Sequence, residues 1–264
     1  MTDLHFEAEP AGRPPLLLVH GFLSSRNHWR PNAALSRDFR LIRVDLPAHG
    51  LSPAPTEDTA YTPDAMVASL ELLRQKLGIN RWFICGQSFG AGLTLRYAID
   101  YPDRVIAQAF TNANAALRPA WTPERMAAHQ ARIDDLALNG AAALRRFAFH
   151  PAHARRFPPD IRQLLAEDAD HCNIAGLIRL MTHGTPHLSV IDRLPETAVP
   201  TLLVNGQRER AFQPNRDAAR DALSGLRIVD LDGGHSINIE QPEAFDSALS
   251  SFFAHWIAEA AHAQ

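Results

Sequence analysis

The chain has 264 residues, 46% of them hydrophobic and 21% charged, with 26 Lys and Arg against 29 Asp and Glu for a net charge of −3. That apolar share excludes a disordered chain, and 19 prolines and 14 glycines exclude a long coiled coil. There is no basic excess to neutralise phosphates and no apolar run near the roughly 20 residues that cross a bilayer, so neither nucleic acid nor a membrane is an expected partner.

Residues 1–15 carry acids and prolines instead of a basic stretch followed by an apolar one, which is not the pattern of a secretory signal. A short strand is expected near Leu4–Ala8. Pro15–Val19 is too short an apolar run for a helix, and the runs Arg40–Leu46, Trp82–Gly86, Val105–Phe110, Thr201–Val204 and Leu226–Leu231 repeat that character. Continuous apolar runs of this length suit strands buried on both faces, as in a parallel sheet. Helical signals lie between them. Thr62-Pro63-Asp64 reads as an N-cap, a first-turn proline and an early acid, followed by Met66, Leu70, Leu73 and Leu77 at helical spacing and Gly78 as the stop. Ser88–Tyr101 and Pro242–Ile257 read as two further helices. Alternation of this kind predicts an α/β fold with a mostly parallel sheet flanked by helices.

Residues 114–194 break the rhythm. They are rich in Ala and Arg, with several helical segments expected, one from Thr122-Pro123 to about Gly140 and helical character again over Asp160–Met181, and no strand. The expectation is an α/β core formed by residues 1–113 and 195–264, with 114–194 inserted as an all-helical cap. Cys85 and Cys172 are too few for a disulfide framework, and Cys85 sits in an apolar run, which points to a reducing, cytoplasmic setting.

Chemistry concentrates in four places. Gly86-Gln87-Ser88-Phe89-Gly90 matches G-x-S-x-G after an apolar run and before a helix, where a sharp turn lifts a serine oxygen above a sheet. The plain alternative is a glycine-rich turn with a capping serine. Gly233-Gly234-His235 follows the last strand, and a histidine on a loop there can act as a base near neutral pH. The backbone N–H groups of Phe89, just after the serine, and of Phe22, after the first core strand, suit an oxyanion hole. His20 is expected to hydrogen-bond within its own loop. Past the strand Thr201–Val204, Glu209 is the acid nearest the strand end, with Asp217 further on and Asp232 a rival close to His235.

These segments, with Asp45-Leu46-Pro47-Ala48-His49-Gly50, resemble the α/β-hydrolase superfamily over most of the chain outside the helical stretch. The resemblance implies a lid over the active site, a Ser-His-acid triad and no cofactor. Two departures from the family pattern stand out: Ala48 where a glycine is common, and Glu209 where an Asp is usual. The short N-terminus also points to a missing first strand. The resulting expectation is a monomeric or homodimeric hydrolase that cleaves a small or medium carboxylic ester or a lactone. Its catalytic residues would be Ser88, His235 and Glu209, its oxyanion donors Phe22 and Phe89, and its pocket residues Trp121 and Phe147. An acyltransferase, a thioesterase or a binding protein without turnover are the alternatives. Arg145-Arg146 and Arg155-Arg156 read as solvated helix faces, and the scattered histidines show no metal-ligand pattern.

Overall fold

The structure, a computed structural model, describes residues 2–257. Seven strands form one sheet: β1 (Phe6–Ala8), β2 (Pro15–Val19), β3 (Arg40–Val44), β4 (Trp82–Gly86), β5 (Val105–Phe110), β6 (Thr201–Gly206) and β7 (Arg227–Leu231), in the order β1-β3-β2-β4-β5-β6-β7. All neighbours are parallel except β1, whose three residues pair antiparallel with β3. Every residue of β2, β4, β5 and β6 is buried, as expected for strands covered on both faces. The edge strand β7 is half-exposed, and its charged Arg227 and Asp230 keep that edge polar.

The period of two sends alternate side chains to opposite faces. Leu17, Val19 and Ile84 pack with Met66, Leu70 and Tyr97 from α1 (Pro63–Lys76) and α2 (Phe89–Asp100). On the other face Leu16, Leu18 and Phe83 pack with Trp29, Phe39 and Phe253, the last from a C-terminal helix over Pro242–Ala254. The cap of α1 is the one its sequence predicts, with the Thr62 hydroxyl accepting from the Ala65 N–H and Gly78 at φ +65° just past the end.

From β2 the chain steps outward to β3 and then crosses back to β4 and onward to β7. The strand order therefore reverses between β2 and β4. In an open parallel sheet the crevice beyond the strand ends at such a point is where ligands bind. The loops that leave β2 and β4 there carry His20–Leu23 and Ser88.

Every regular element between residues 114 and 194 is helical. These are α3 (Asn114–Leu117), α4 (Pro123–Leu144), α5 (Pro159–Asp170) and α6 (Ile174–Arg179), followed by a π-helical turn at Leu180–Gly184. The helix begun at Thr122 ends at Gly140 as expected, where the backbone leaves the helical region (φ +52°, ψ −131°), and a short second helical piece runs on to Leu144. The stretch Asp160–Met181 is helical as expected and divides at Asn173, which caps α6 by accepting from the Gly176 N–H while its own N–H donates to Ala48 O on the sheet side. Leu136, Leu144, Phe147, Leu177 and Met181 form a separate small core there, which also takes in Leu23.

Among the described residues three further helices follow: α7 (Gln213–Ala222), α8 (Ile237–Glu240) and α9, the C-terminal helix already placed at Pro242–Ala254. Among the described residues no helix is long and apolar enough to cross a membrane.

Candidate active site

Ser88 sits between β4 and α2 with φ +52° and ψ −110°, a backbone conformation costly for a residue with a side chain. The neighbouring glycine explains how the turn is held. A Cβ on Gly90 would meet the carbonyl oxygens of Val19 and His20, so only glycine lets α2 press against the end of β2. Phe89 opens α2, and its N–H belongs to the first helical turn, whose donors have no partner inside the helix. Phe22 lies on the loop beyond β2, its ring edge-on to His49 and Phe149. That loop is braced from beneath. The His49 imidazole accepts from the Leu23 N–H (3.2 Å), and His20 donates to Gly21 O (2.7 Å) while accepting from the Leu46 N–H (3.0 Å). His20 thus has the loop-holding place expected for it. Burial keeps both imidazoles neutral, His49 at a pKa of about 3.

His235 follows β7. Its Nδ1 lies 2.9 Å from Glu209 Oε2. Glu209, on the loop after β6, is largely buried and accepts two more hydrogen bonds at 2.8 Å, from Asn112 Nδ2 on Oε2 and from Asn114 Nδ2 on Oε1. Asn112 further binds both the N–H and the C=O of Gly206, tying the end of β5 to that of β6. Burial alone would raise the Glu209 pKa; the hydrogen bonds and charge of His235 and the two asparagines overcome it and hold the carboxyl below its ordinary value. In His235, enclosure pulls the imidazole down, but the hydrogen bond and charge of Glu209 outweigh it and leave the pKa above the ordinary 6.5.

The rival acids lie elsewhere. Asp232 is exposed and grips Arg208 through both oxygens, and Asp217 pairs with Arg216 and Arg220 on the surface. Glu209 therefore does not form the surface pair with Arg208 that its neighbours in sequence would allow.

Ser88, His235 and Glu209 line one cavity of about 880 Å³, together with Phe22, Phe89 and Trp121. Phe147 does not line it: that residue is buried in the small core of the helical segment, and the adjacent Phe149, half-exposed, faces the cavity instead. Two residues along an irregular turn were enough to exchange inside for outside. The two basic pairs also separate. Arg145 and Arg146 bind Asp170 and Asp135 on the outer surface, whereas Arg155 and Arg156, exposed as expected, also line the cavity with Arg118 and Arg132. Asn112 and Asn114 were not foreseen. The available signal was three polar residues, Thr111, Asn112 and Asn114, directly after a fully buried strand. Among the described residues no group of three His, Cys, Asp or Glu comes together as a metal site.

A family model described as the alpha/beta hydrolase fold matches residues 14–242. The 2-succinyl-6-hydroxy-2,4-cyclohexadiene-1-carboxylate synthase of Serratia proteamaculans is 28% identical over 252 residues, covering 92% of this chain and 94% of its own. The enol-lactonase of Burkholderia xenovorans superposes with a TM-score of 0.82 at 25% identity, over 96% of this chain and 97% of its own. An esterase from Exiguobacterium antarcticum shares the fold at a TM-score of 0.81 and 20% identity, over 95% of both chains. A match that runs from the edge of β2 to the first residue of α9, over a sheet with this strand order, makes the chain a member of the α/β-hydrolase family.

Proposed function

We propose that the protein is a serine hydrolase that cleaves a carboxylic ester or lactone through Ser88, His235 and Glu209. The observation that carries this reading is the His235 Nδ1–Glu209 contact of 2.9 Å at a cavity that also holds Ser88 on its strained turn. A carboxylate at Nδ1 fixes the tautomer that leaves Nε2 unprotonated and able to take a proton. Ser88 Oγ passes its proton to Nε2 and bonds to the carbonyl carbon. The N–H groups of Phe22 and Phe89 stabilise the oxyanion. The C–O bond breaks, the alcohol leaves with the proton from His235, and an acyl-enzyme remains. A water activated by His235 then releases the acid and restores Ser88. A glutamate serves here in place of the more usual aspartate because Asn112 and Asn114 hold both its oxygens, so the longer side chain has no freedom to wander. In this reading residues 114–194 act as a cap, since they supply Trp121 and Phe149 to the cavity wall opposite the sheet loops.

The test is covalent labelling combined with turnover. Ser88 should react with a fluorophosphonate, and the protein should hydrolyse short 4-nitrophenyl esters or an enol lactone. Ser88→Ala should lose both, with the fold intact by circular dichroism. Labelling that survives in Ser88→Ala would move the nucleophile elsewhere.

A further inference from the structure

The cavity wall is unevenly charged. Among the described residues its arginines are Arg118, Arg132, Arg155 and Arg156, and its carboxylates are Glu209 and Glu240. Neither glutamate is available to balance them. Glu209 is held by His235, Asn112 and Asn114, while Glu240 accepts from the Gly234 N–H and already lies 3.6 Å from Arg156. Arg118, Arg132 and Arg155 have no carboxylate partner among the described residues.

Arg118 is the most constrained of the three. It follows directly on α3, the short helix whose first residue, Asn114, grips Glu209. Its Nε donates to Asn114 O at 3.3 Å, and its guanidinium lies 4.8 Å over the Trp121 ring. Trp121 is in turn propped edge-on by His129, whose own ring is anchored to Met181 O (2.8 Å). The two terminal nitrogens of Arg118 meet no protein acceptor among the described residues. Partial burial, helped by the charge of Arg125, draws its pKa down to about 10, as for a half-buried cation without a counter-charge. His129 is lowered as well, by burial and by Arg132 and Arg118, so it adds no charge of its own.

From this arrangement we infer that the substrate carries a second, free carboxylate, received by Arg118 on its Trp121 platform. Arg132 and Arg155, more exposed on the same wall, draw the anion in. A planar guanidinium matches a carboxylate through two parallel hydrogen bonds, and the ring beneath fixes the plane in which they form. A neutral substrate would cover the half-buried guanidinium without supplying a counter-charge. The inference rests on the Ser88 hydrolase reading and names its substrate class: the half-ester of a dicarboxylic acid, or a lactone bearing a carboxylate.

The experiment compares 4-nitrophenyl hydrogen adipate with 4-nitrophenyl methyl adipate, which differ in the charge of the far end. The expected kcat/KM ratio favours the free acid by about 10–100-fold, the size of one well-placed charged hydrogen bond. The ratio should collapse towards unity in Arg118→Gln, recover in part in Arg118→Lys, and shrink as salt is raised. A ratio near unity in the wild type, or an equal fall on both esters in Arg118→Gln, would overturn the inference. Calorimetry with adipate and with inorganic phosphate, on wild type and both variants, reads the site without turnover. Adipate should bind the wild type and lose affinity in Arg118→Gln; phosphate binding more tightly than adipate would reject the carboxylate. Fluorophosphonate labelling separates the two levels. If Ser88 labels normally but adipate does not bind, this inference alone fails. If Ser88 does not label, the hydrolase reading fails, and adipate binding still decides the carboxylate site.

Discussion

The sheet and the helical segment 114–194 hold their parts of the cavity in different ways. Ser88, Glu209 and His235 sit on loops leaving β4, β6 and β7, two of which are strands with every residue buried. Backbone joins backbone there: a Cβ on Gly206 would strike the Gly234 carbonyl, so the β6 end and the His235 loop touch without side chains between them. The helical segment has a smaller core, a break at Gly140, and large apolar side chains in solvent, such as Leu138 at 84% exposure. Distances within a proposed triad must hold to a fraction of an ångström, whereas recognition tolerates change in the wall that contacts the rest of the substrate. Asn114 is the joint, since it begins the first helix of the segment and binds an acid on the sheet side.

The sharpest way to break this contrast is Glu209→Gln. It keeps the shape and removes the charge, so kcat should fall by about 10⁴-fold if the residue orients His235. Asp232→Asn should leave kcat close to wild type, because that acid only pairs with Arg208 on the surface. A large loss in Asp232→Asn and a small one in Glu209→Gln would reverse the assignment.

Truncations compare the two regions in stability. Phe83→Ala opens the sheet core and should cost about 3–5 kcal/mol in denaturant unfolding. Phe147→Ala should also destabilise, by about 3 kcal/mol, without a specific change in acyl preference, since its ring is buried in the small helical core. Phe149→Ala should do the opposite, with stability within about 0.5 kcal/mol of wild type and an altered acyl-chain preference.

The pH profile probes the sheet side alone. His235 must be neutral to accept a proton, so kcat/KM should rise with pH through an inflection above the ordinary 6.5. In Glu209→Gln burial dominates and the inflection should move down. The same raised pKa contributes stability that is full below the unfolded value of 6.5 and is lost as pH rises through the folded value, which thermal unfolding across pH 6–9 would follow.

The smallest expected effect is Ala48→Gly. Ala48 adopts φ +67°, where glycine would relieve about 1 kcal/mol of left-handed strain. Glycine also forfeits a buried methyl (about 0.8 kcal/mol) and gains chain entropy when unfolded (about 0.5–1 kcal/mol). These effects nearly cancel, so the melting temperature should barely move. That is why alanine is tolerated at a position where the family commonly has glycine.

Strands, the serine turn and the placing of Ser88, Glu209 and His235 just past strand ends were legible in one dimension. Each rests on a local pattern: an apolar run too short for a helix, a glycine on either side of Ser88, a residue type just past a strand end. Local chemistry also located the Thr62 cap and the proline starts of α1, α4 and α9. The partners of Glu209 were hidden because Asn112 and Asn114 lie 97 and 95 positions away in the chain, and only the parallel pairing of β5 with β6 makes them neighbours. Which of Phe147 and Phe149 faces the cavity depended on an irregular turn with no period to read. Which basic pair borders the cavity depended on how the helices pack, with Asp135 and Asp170 holding the other pair on the outer surface. Patterns of hydrophobicity and turn residues act over a few positions, and so they specify elements. The charge balance of a cavity is set by side chains that meet only after those elements pack.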